Sequence, residues 1–411
     1  MSDTIRPHGG GMKELLGEAD THGAHNYAPL PVVLSRGQGA FVWDVEGRRY
    51  TDCLSAYSAL NQGHCHPRIV EALVTQAHVL TLTSRAFHHD LMASFLARVS
   101  AVSGFEKVLP MNSGAEAVET ALKAMRRWGH EVRGVPDGTA EIVVAEGNFH
   151  GRTITAVSLS SDPSSFGHYG PHTPGFVKVP FGDADALARA IGPRTVGVLL
   201  EPIQGEAGVI VPPDDYLTRV RALCTEHRVV MCLDEIQTGL GRTGRMFAWQ
   251  HGGAGARPDA ILLGKALSGG MLPVSAFCAD AWLMDVFTPG THGSTYGGNP
   301  LACAVGLAAL DVLEDEQLPE RAARLGGRAL ARLRAGLAEA PHLKEIRGRG
   351  LMVAIQLHDR SAHARALSLM KEGVLAKDTH GHTLRVLPPL VIEEPDLDAA
   401  IDAVVRVLRD P

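Results

Sequence analysis

Five short apolar runs, KVLPM, EIVVA, VGVLL, VVMCL and AILLG, fall between residues 107 and 264 with helix-like segments among them, and this alternation constrains the fold more than any other feature. Each run has strand length and no polar face, a pattern that a strand sustains when both sides of its sheet are covered. The intervening AVETALKAMRRW and YLTRVRALCTEH carry helical periodicity. Strands separated by helices pair in parallel, so this part of the chain is expected to form an α/β unit whose mostly parallel central sheet is flanked by helices.

Beyond about residue 300 the texture changes. Three amphipathic stretches, PLACAVGLAALDVLEDE, PERAARLGGRALARLRAGLAEA and PDLDAAIDAVVRVLRD, are interleaved with the strand candidates LMVAIQL and TLRVLPPL, which is an α+β pattern. A chain of 411 residues favours more than one unit. The expected division is a large domain over residues 56–300 and a smaller α+β domain over 301–411, with an N-terminal segment, 1–55, packing on the smaller one through the strand-like AFVWDVEGRRYTD.

Ligands of open parallel sheets sit beyond the carboxyl ends of the strands, so the residues just after each apolar run carry the functional information. KVLPM is followed by Asn112, Ser113, Gly114 and Ala115 at the start of a helix, whose free amides and positive dipole end suit a phosphate. Asp234 follows VVMCL, where a buried carboxylate is costly unless it meets a cation such as a protonated ring nitrogen. Ile236, two residues on in an extended chain, would point the same way and pack under a ring that Phe149 covers. Lys265 follows AILLG; an enclosed lysine beside a cationic ring loses proton affinity and becomes an amine able to condense with an aldehyde. A phosphate cradle, a ring carboxylate, ring-stacking residues and a reactive lysine together describe a pyridoxal phosphate site.

The stretches GAHNYAPLPVVLSRGQGAFVWDVEGR, LSAYSALNQGHCHPRIV, VLPMNSGAEAVETALK, GNFHGRT, EPIQGEAGV, DEIQTGLGRTG, LLGKALSGG, HGSTYGGNP, LAKDTHG and RVLPPLVI run along nearly the whole sequence. By these the chain resembles the class III aminotransferases of PLP fold type I, and among them the members that use ornithine. The resemblance implies pyridoxal 5'-phosphate as cofactor, a homodimer, and transfer of the δ-amino group of L-ornithine to 2-oxoglutarate, giving glutamate-5-semialdehyde and L-glutamate. It implies that Lys265 condenses with the cofactor and later shuttles a proton, that Asp234 keeps the pyridine nitrogen protonated, and that Gln237 faces the ring hydroxyl. Ser113, Gly114 and Ala115 would bind the phosphate, joined by Ser294 and Thr295 from the other subunit. His150, which belongs to the same cofactor-binding set, stands where some members carry tryptophan, and Ala115 where others carry a bulkier apolar residue.

Substrate roles follow from the same resemblance. Arg152 would clamp the ornithine α-carboxylate, Tyr27 would meet the α-amino group, and Tyr57 would line the pocket. Arg385 would bind 2-oxoglutarate, with Glu206 masking it while ornithine is present. Acetylornithine, 4-aminobutyrate and other ω-amino acid transaminases share the cofactor site, so Tyr27, Tyr57 and the Glu206 to Arg385 pair are what separate them.

Other classes fit less well. A net charge of -6 offers neither a nucleic-acid groove nor a basic membrane face, and no apolar run reaches membrane-spanning length. Six scattered cysteines without a CxxC pair and a start without a signal-peptide core point to the cytoplasm. Gly239 to Gly244, GLGRTG, satisfies GxGxxG, with Asp259 about 20 residues on, as a nicotinamide oxidoreductase would require. Yet DEIQT separates the motif from its strand, and Asp259 precedes the next strand where the ribose-binding acid should follow it. His64-Cys65-His66 has no second ligand cluster at a metal-site spacing, and no metal is expected.

Overall fold

The computed structural model describes residues 10–409, so the first nine residues of the expected N-terminal segment lie outside the described ones. Near the amino end, β1 (Leu34–Gln38), β2 (Phe41–Asp44) and β3 (Arg49–Asp52) form an antiparallel meander. The stretch AFVWDVEGRRYTD is therefore a hairpin and not one strand. Asp44 closes its turn by accepting hydrogen bonds from the amides of Glu46 at 3.0 Å and Arg48 at 2.9 Å.

The central sheet holds β4 (Lys107–Met111), β5 (Glu141–Ala145), β6 (Phe176–Val179), β7 (Thr195–Leu200), β8 (Val230–Asp234), β9 (Ala260–Leu263) and β10 (Ser275–Ala279). Their order is β4-β10-β9-β8-β7-β5-β6. Only β10 runs against its neighbours, and the others are mutually parallel. Side chains alternate between two cores on opposite faces: Met231, Leu233, Ile261 and Leu263 enter one, and Val230, Cys232, Ala260 and Leu262 enter the other. That alternation is why these strands are apolar throughout. The helix Gly114–Glu131 covers the second face with Ala117, Val118, Ala121 and Met125.

The C-terminal part contributes β11 (Leu343–Arg349), β12 (Met352–Leu357), β13 (Val374–Leu375), β14 (Lys377–Thr379) and β15 (Thr383–Val386). Four of them make an antiparallel sheet ordered β11-β12-β15-β14, while β13 pairs in parallel with β3. Residues near the two ends of the chain thus share one sheet. Cys53 donates its amide to Leu375 O at 2.8 Å, and Leu387 donates to Cys53 O at 2.7 Å. TLRVLPPL is extended only as far as Val386, because the prolines that follow have no amide to add to a ladder.

Candidate active site

Beyond the carboxyl ends of the parallel strands lies a cavity of about 220 Å³ that Lys265, Asp234, His150 and Phe149 help to line. A wider groove of about 790 Å³ lies elsewhere, beside Arg127 and Arg194. It holds none of the strand-end residues, and these two cations are already paired with Glu131 at 2.7 Å and Glu141 at 2.6 Å.

Lys265 opens a short 3-10 turn directly after β9 and sits at φ 45°, a left-handed conformation that a residue with a β-carbon adopts only under restraint. Burial lowers its pKa, and the charges of Asp234, Glu206 and Glu201 oppose that shift without cancelling it. Asp234 ends β8 and is 5% exposed. One of its oxygens is 2.8 Å from His150 Nδ1, and the other accepts the Ile236 amide at 3.1 Å. This second bond corrects the sequence expectation for Ile236: the chain turns after Asp234 and does not stay extended. The turn still delivers Ile236 to the cavity wall, packed so tightly that a β-carbon on Gly114 would lie 3.0 Å from its Cδ1.

His150 Nε2 is buried without a partner. Burial disfavours a charge on this ring, but the hydrogen bond and charge of Asp234, with the charge of Glu201, outweigh it and the net shift is upward. Glu201, at the end of β7, shares this buried cluster. It accepts the amides of Phe149 at 3.0 Å and Gly205 at 3.2 Å, which ties two cavity loops together, and burial pushes its pKa up to about 7. Glu201 directly follows VGVLL in the sequence, and the argument that singles out Asp234 after VVMCL applies equally to it.

Glu206 and Arg385 form an ion pair at 2.6 Å. Arg385 is 3% exposed and its Nε has no partner. Burial raises the Glu206 pKa, but the charge and hydrogen bond of Arg385, with Lys265 and Gln237, more than reverse this and hold the carboxyl below its usual range. Gln237 Nε2 donates to Glu206 Oε1 and to the Tyr57 carbonyl, both at 3.3 Å, and the Arg385 guanidinium lies 5.2 Å from the Tyr57 ring centre. Gly205 lets Gln237 take this position, because a β-carbon there would fall 1.3 Å from Gln237 Oε1 and push the amide aside. Arg152 and Tyr27 stand further out and do not line the cavity: Arg152 donates to Ser165 Oγ at 2.8 Å, and Tyr27 is 77% exposed.

At the start of the helix Gly114–Glu131, Ser113 is occupied by a capping box. Its hydroxyl accepts the Glu116 amide at 3.2 Å, and its own amide donates to Glu116 Oε2 at 2.6 Å. The first-turn amides of Gly114 and Ala115 have no partners within the helix and are the donors left for an anion. Ser294 accepts from Asn112 Nδ2 at 2.8 Å, Thr295 is exposed, and neither lines the cavity of this subunit. The His64 and His66 rings reach separate carboxylates, Asp52 at 2.8 Å and Glu316 at 2.9 Å. Among the described residues, no helix is long and apolar enough to cross a membrane.

The family model for aminotransferase class III matches residues 22–408. The chain belongs to the class III aminotransferases. This aminotransferase is 57% identical over 391 residues to the ornithine aminotransferase of Bordetella pertussis, covering 95% of this chain and 94% of that protein. It superposes with a TM-score of 0.95 at 44% identity on the Toxoplasma gondii ornithine aminotransferase, over 97% and 94% of the two chains; crystals of that protein grown with oxidised glutathione show partial occupancy of PLP at the active site. The acetylornithine aminotransferase of Elizabethkingia anophelis superposes with a TM-score of 0.88 at 46% identity, over 97% and 98%. Pyridoxal phosphate is the cofactor of this class, and the cavity fits it. A buried carboxylate, an amine of lowered proton affinity and two first-turn helix amides face one space of suitable chemistry.

Proposed function

We propose that this class III aminotransferase transfers the δ-amino group of L-ornithine to 2-oxoglutarate, giving glutamate-5-semialdehyde and L-glutamate. The observation that carries the reading is the Glu206–Arg385 pair at 2.6 Å beside the Lys265 cavity. An enzyme that takes an ω-amine in one half-reaction and an α-keto acid in the other needs a carboxylate-binding arginine that the first substrate does not meet. A carboxylate tethered to that arginine meets the need. The 57% identity to the Bordetella pertussis protein supports the same choice.

Bound here, pyridoxal phosphate supplies an electrophilic carbonyl and an electron-withdrawing ring on which an amine and a carbonyl oxygen can be exchanged. The chain's own residues do the rest. Asp234 holds a proton on the ring nitrogen, His150 keeps that carboxylate oriented, and Phe149 and Ile236 enclose the ring and exclude water. Gln237 meets the ring hydroxyl. The Gly114 and Ala115 amides hold the phosphate, with the Ser113 hydroxyl once it turns from Glu116, and with Ser294 and Thr295 of the partner subunit in a homodimer. Lys265 Nζ moves the proton at the substrate carbon that bears the amine. Arg152 takes the ornithine α-carboxylate in a bidentate grip, Tyr27 takes the α-ammonium, and Tyr57 lines the space between them. The cytoplasm is the compartment that suits the six free thiols.

A second reading, in which the amine donor is N-acetylated, is favoured by the likeness to the Elizabethkingia anophelis protein and by the exposure of Tyr27. The deciding experiment supplies the purified holoenzyme with 2-oxoglutarate and, in separate reactions, ornithine, acetylornithine or 4-aminobutyrate. The expected product from ornithine is the semialdehyde, detected as its cyclised form pyrroline-5-carboxylate. Faster turnover of acetylornithine would replace the first reading with the second.

A further inference from the structure

GLGRTG is buried from Gly239 to Thr243, and the structure gives its arginine a use. Gly241 has φ +91°, and a β-carbon on it would lie 3.1 Å from Leu390 Cδ1 and 3.3 Å from Pro319, so the glycine admits the C-terminal part of the chain and not a phosphate. Arg242 beside it is 0% exposed and heads the fully buried side chains by volume. Among the described residues, no carboxylate hydrogen-bonds to it. Its Nη1 donates to the carbonyls of Leu351 at 3.0 Å and Pro388 at 2.6 Å, and its Nη2 to Ser55 Oγ at 3.0 Å and Asn61 Oδ1 at 2.6 Å. Burial lowers its pKa to about 9, and Asp52 opposes that shift.

The segment it grips is unusual. Ser55, Ala56, Tyr57 and Ser58 have φ of 46°, 47°, 59° and 72°, a full left-handed turn built without glycine. Such a conformation persists only when its surroundings impose it. Asp52 Oδ1 accepts the Leu54 and Ser55 amides at 2.8 Å and fixes the near end. Arg242 holds the Ser55 side chain. Pro388, its other anchor, lies three residues beyond Arg385, whose guanidinium is 5.2 Å from the Tyr57 ring centre. One planar fork thus joins the turn that carries Tyr57 to the segment that carries Arg385.

We propose that Arg242 is a positioning residue for substrate recognition, holding the left-handed turn Ser55–Ser58 and the backbone after Arg385 in one register so that Tyr57 and Arg385 face substrate together. The inference rests on the substrate roles proposed above for these two residues. A guanidinium suits the task because four acceptors in two directions exceed what the compact, freely rotating head of lysine can satisfy.

The test compares Arg242→Lys with the wild-type holoenzyme. KM for ornithine and for 2-oxoglutarate should rise roughly tenfold with kcat changed much less, the expected cost of losing one charged hydrogen bond in ground-state recognition. Cofactor content and the unfolding midpoint are measured alongside. Adding Ala56→Gly should return KM toward the wild-type value, because glycine adopts the left-handed turn without help. Activity that falls only in step with folded or cofactor-loaded protein, with KM constant, would overturn the proposal, as would the lack of any rescue. Should Arg242→Lys fail to fold, Ser55→Ala removes the turn's acceptor alone and should raise KM in the same direction; no change would count equally against the proposal. Arg385→Lys separates the two readings: an unmoved KM for 2-oxoglutarate would refute the site assignment itself, and a moved KM beside an unaffected Arg242→Lys refutes only the positioning role.

Discussion

Replacing Glu206 by alanine should make glutamate a better amine donor relative to ornithine. In the wild-type protein the Glu206 carboxylate occupies Arg385 Nη1 at 2.6 Å, so a substrate α-carboxylate that uses this arginine must first displace it. A hydrogen bond to a charged group contributes about 1.5–3 kcal/mol. The Glu206 side chain is 30% exposed while that of Arg385 is 3% exposed, so solvent screening on one side favours the lower figure. About 1.4 kcal/mol corresponds to a factor of ten. The ratio of kcat/KM for glutamate over ornithine should therefore rise roughly tenfold in Glu206→Ala, with most of the change on the glutamate side. The assay follows each half-reaction in a stopped-flow spectrophotometer through the cofactor's absorbance, so that no second substrate intervenes. Glu206→Gln, which keeps the shape but not the charge, should behave similarly. A ratio within twofold of wild type in both variants would refute the idea that this pair gates Arg385.

Two further expectations address recognition and pH. Tyr27→Phe should lower kcat/KM for ornithine by roughly tenfold, the lower end for a hydrogen bond to a charged amine at an exposed residue, and should spare 4-aminobutyrate, which has no α-amine; equal losses for both donors would exclude Tyr27 as the α-amine contact. Glu201 titrates at about 7 in the fold against an ordinary value of 4.5. Between those values the folded state keeps a proton that the unfolded state has released, so its contribution to stability is lost as pH rises through the window. Glu201→Gln cannot ionise, and denaturant titrations at about pH 5 and pH 8 should show its stability difference between the two smaller than wild type by about 2.5 kcal/mol; an unaltered difference would show that the buried carboxyl does not hold its proton.

Much of the large sheet can be read in the linear chain. The runs that became β4, β5, β7, β8 and β9 are apolar on both faces, and that property is local. Two strands carry a weaker signal. SAFCA, now β10, has small residues at every position but Phe277, and FVKV, now β6, lies at the sheet edge, where a lysine is tolerated. The strand-end residues Asp234 and Lys265 were visible because a polar group after a buried run needs a reason. The turn at Ile236 was not, since it depends on one hydrogen bond to the Asp234 carboxylate.

Residue types at fixed spacings, read along the chain alone, determined the α/β alternation, the candidate lysine and ring carboxylate, and through the resemblance the cofactor and the Glu206 to Arg385 pairing. Tertiary structure decided the rest: that His150 hydrogen-bonds Asp234, that Glu201 holds two loops and titrates near 7, that Tyr57 rides on a left-handed turn, and that Arg242 joins residues 55, 61, 351 and 388. Periodicity and local preference act between near neighbours in sequence and can be read from their order. The charge state of a buried group and the persistence of a strained turn depend on distances and burial set by segments hundreds of residues apart, which exist only once the chain has closed on itself.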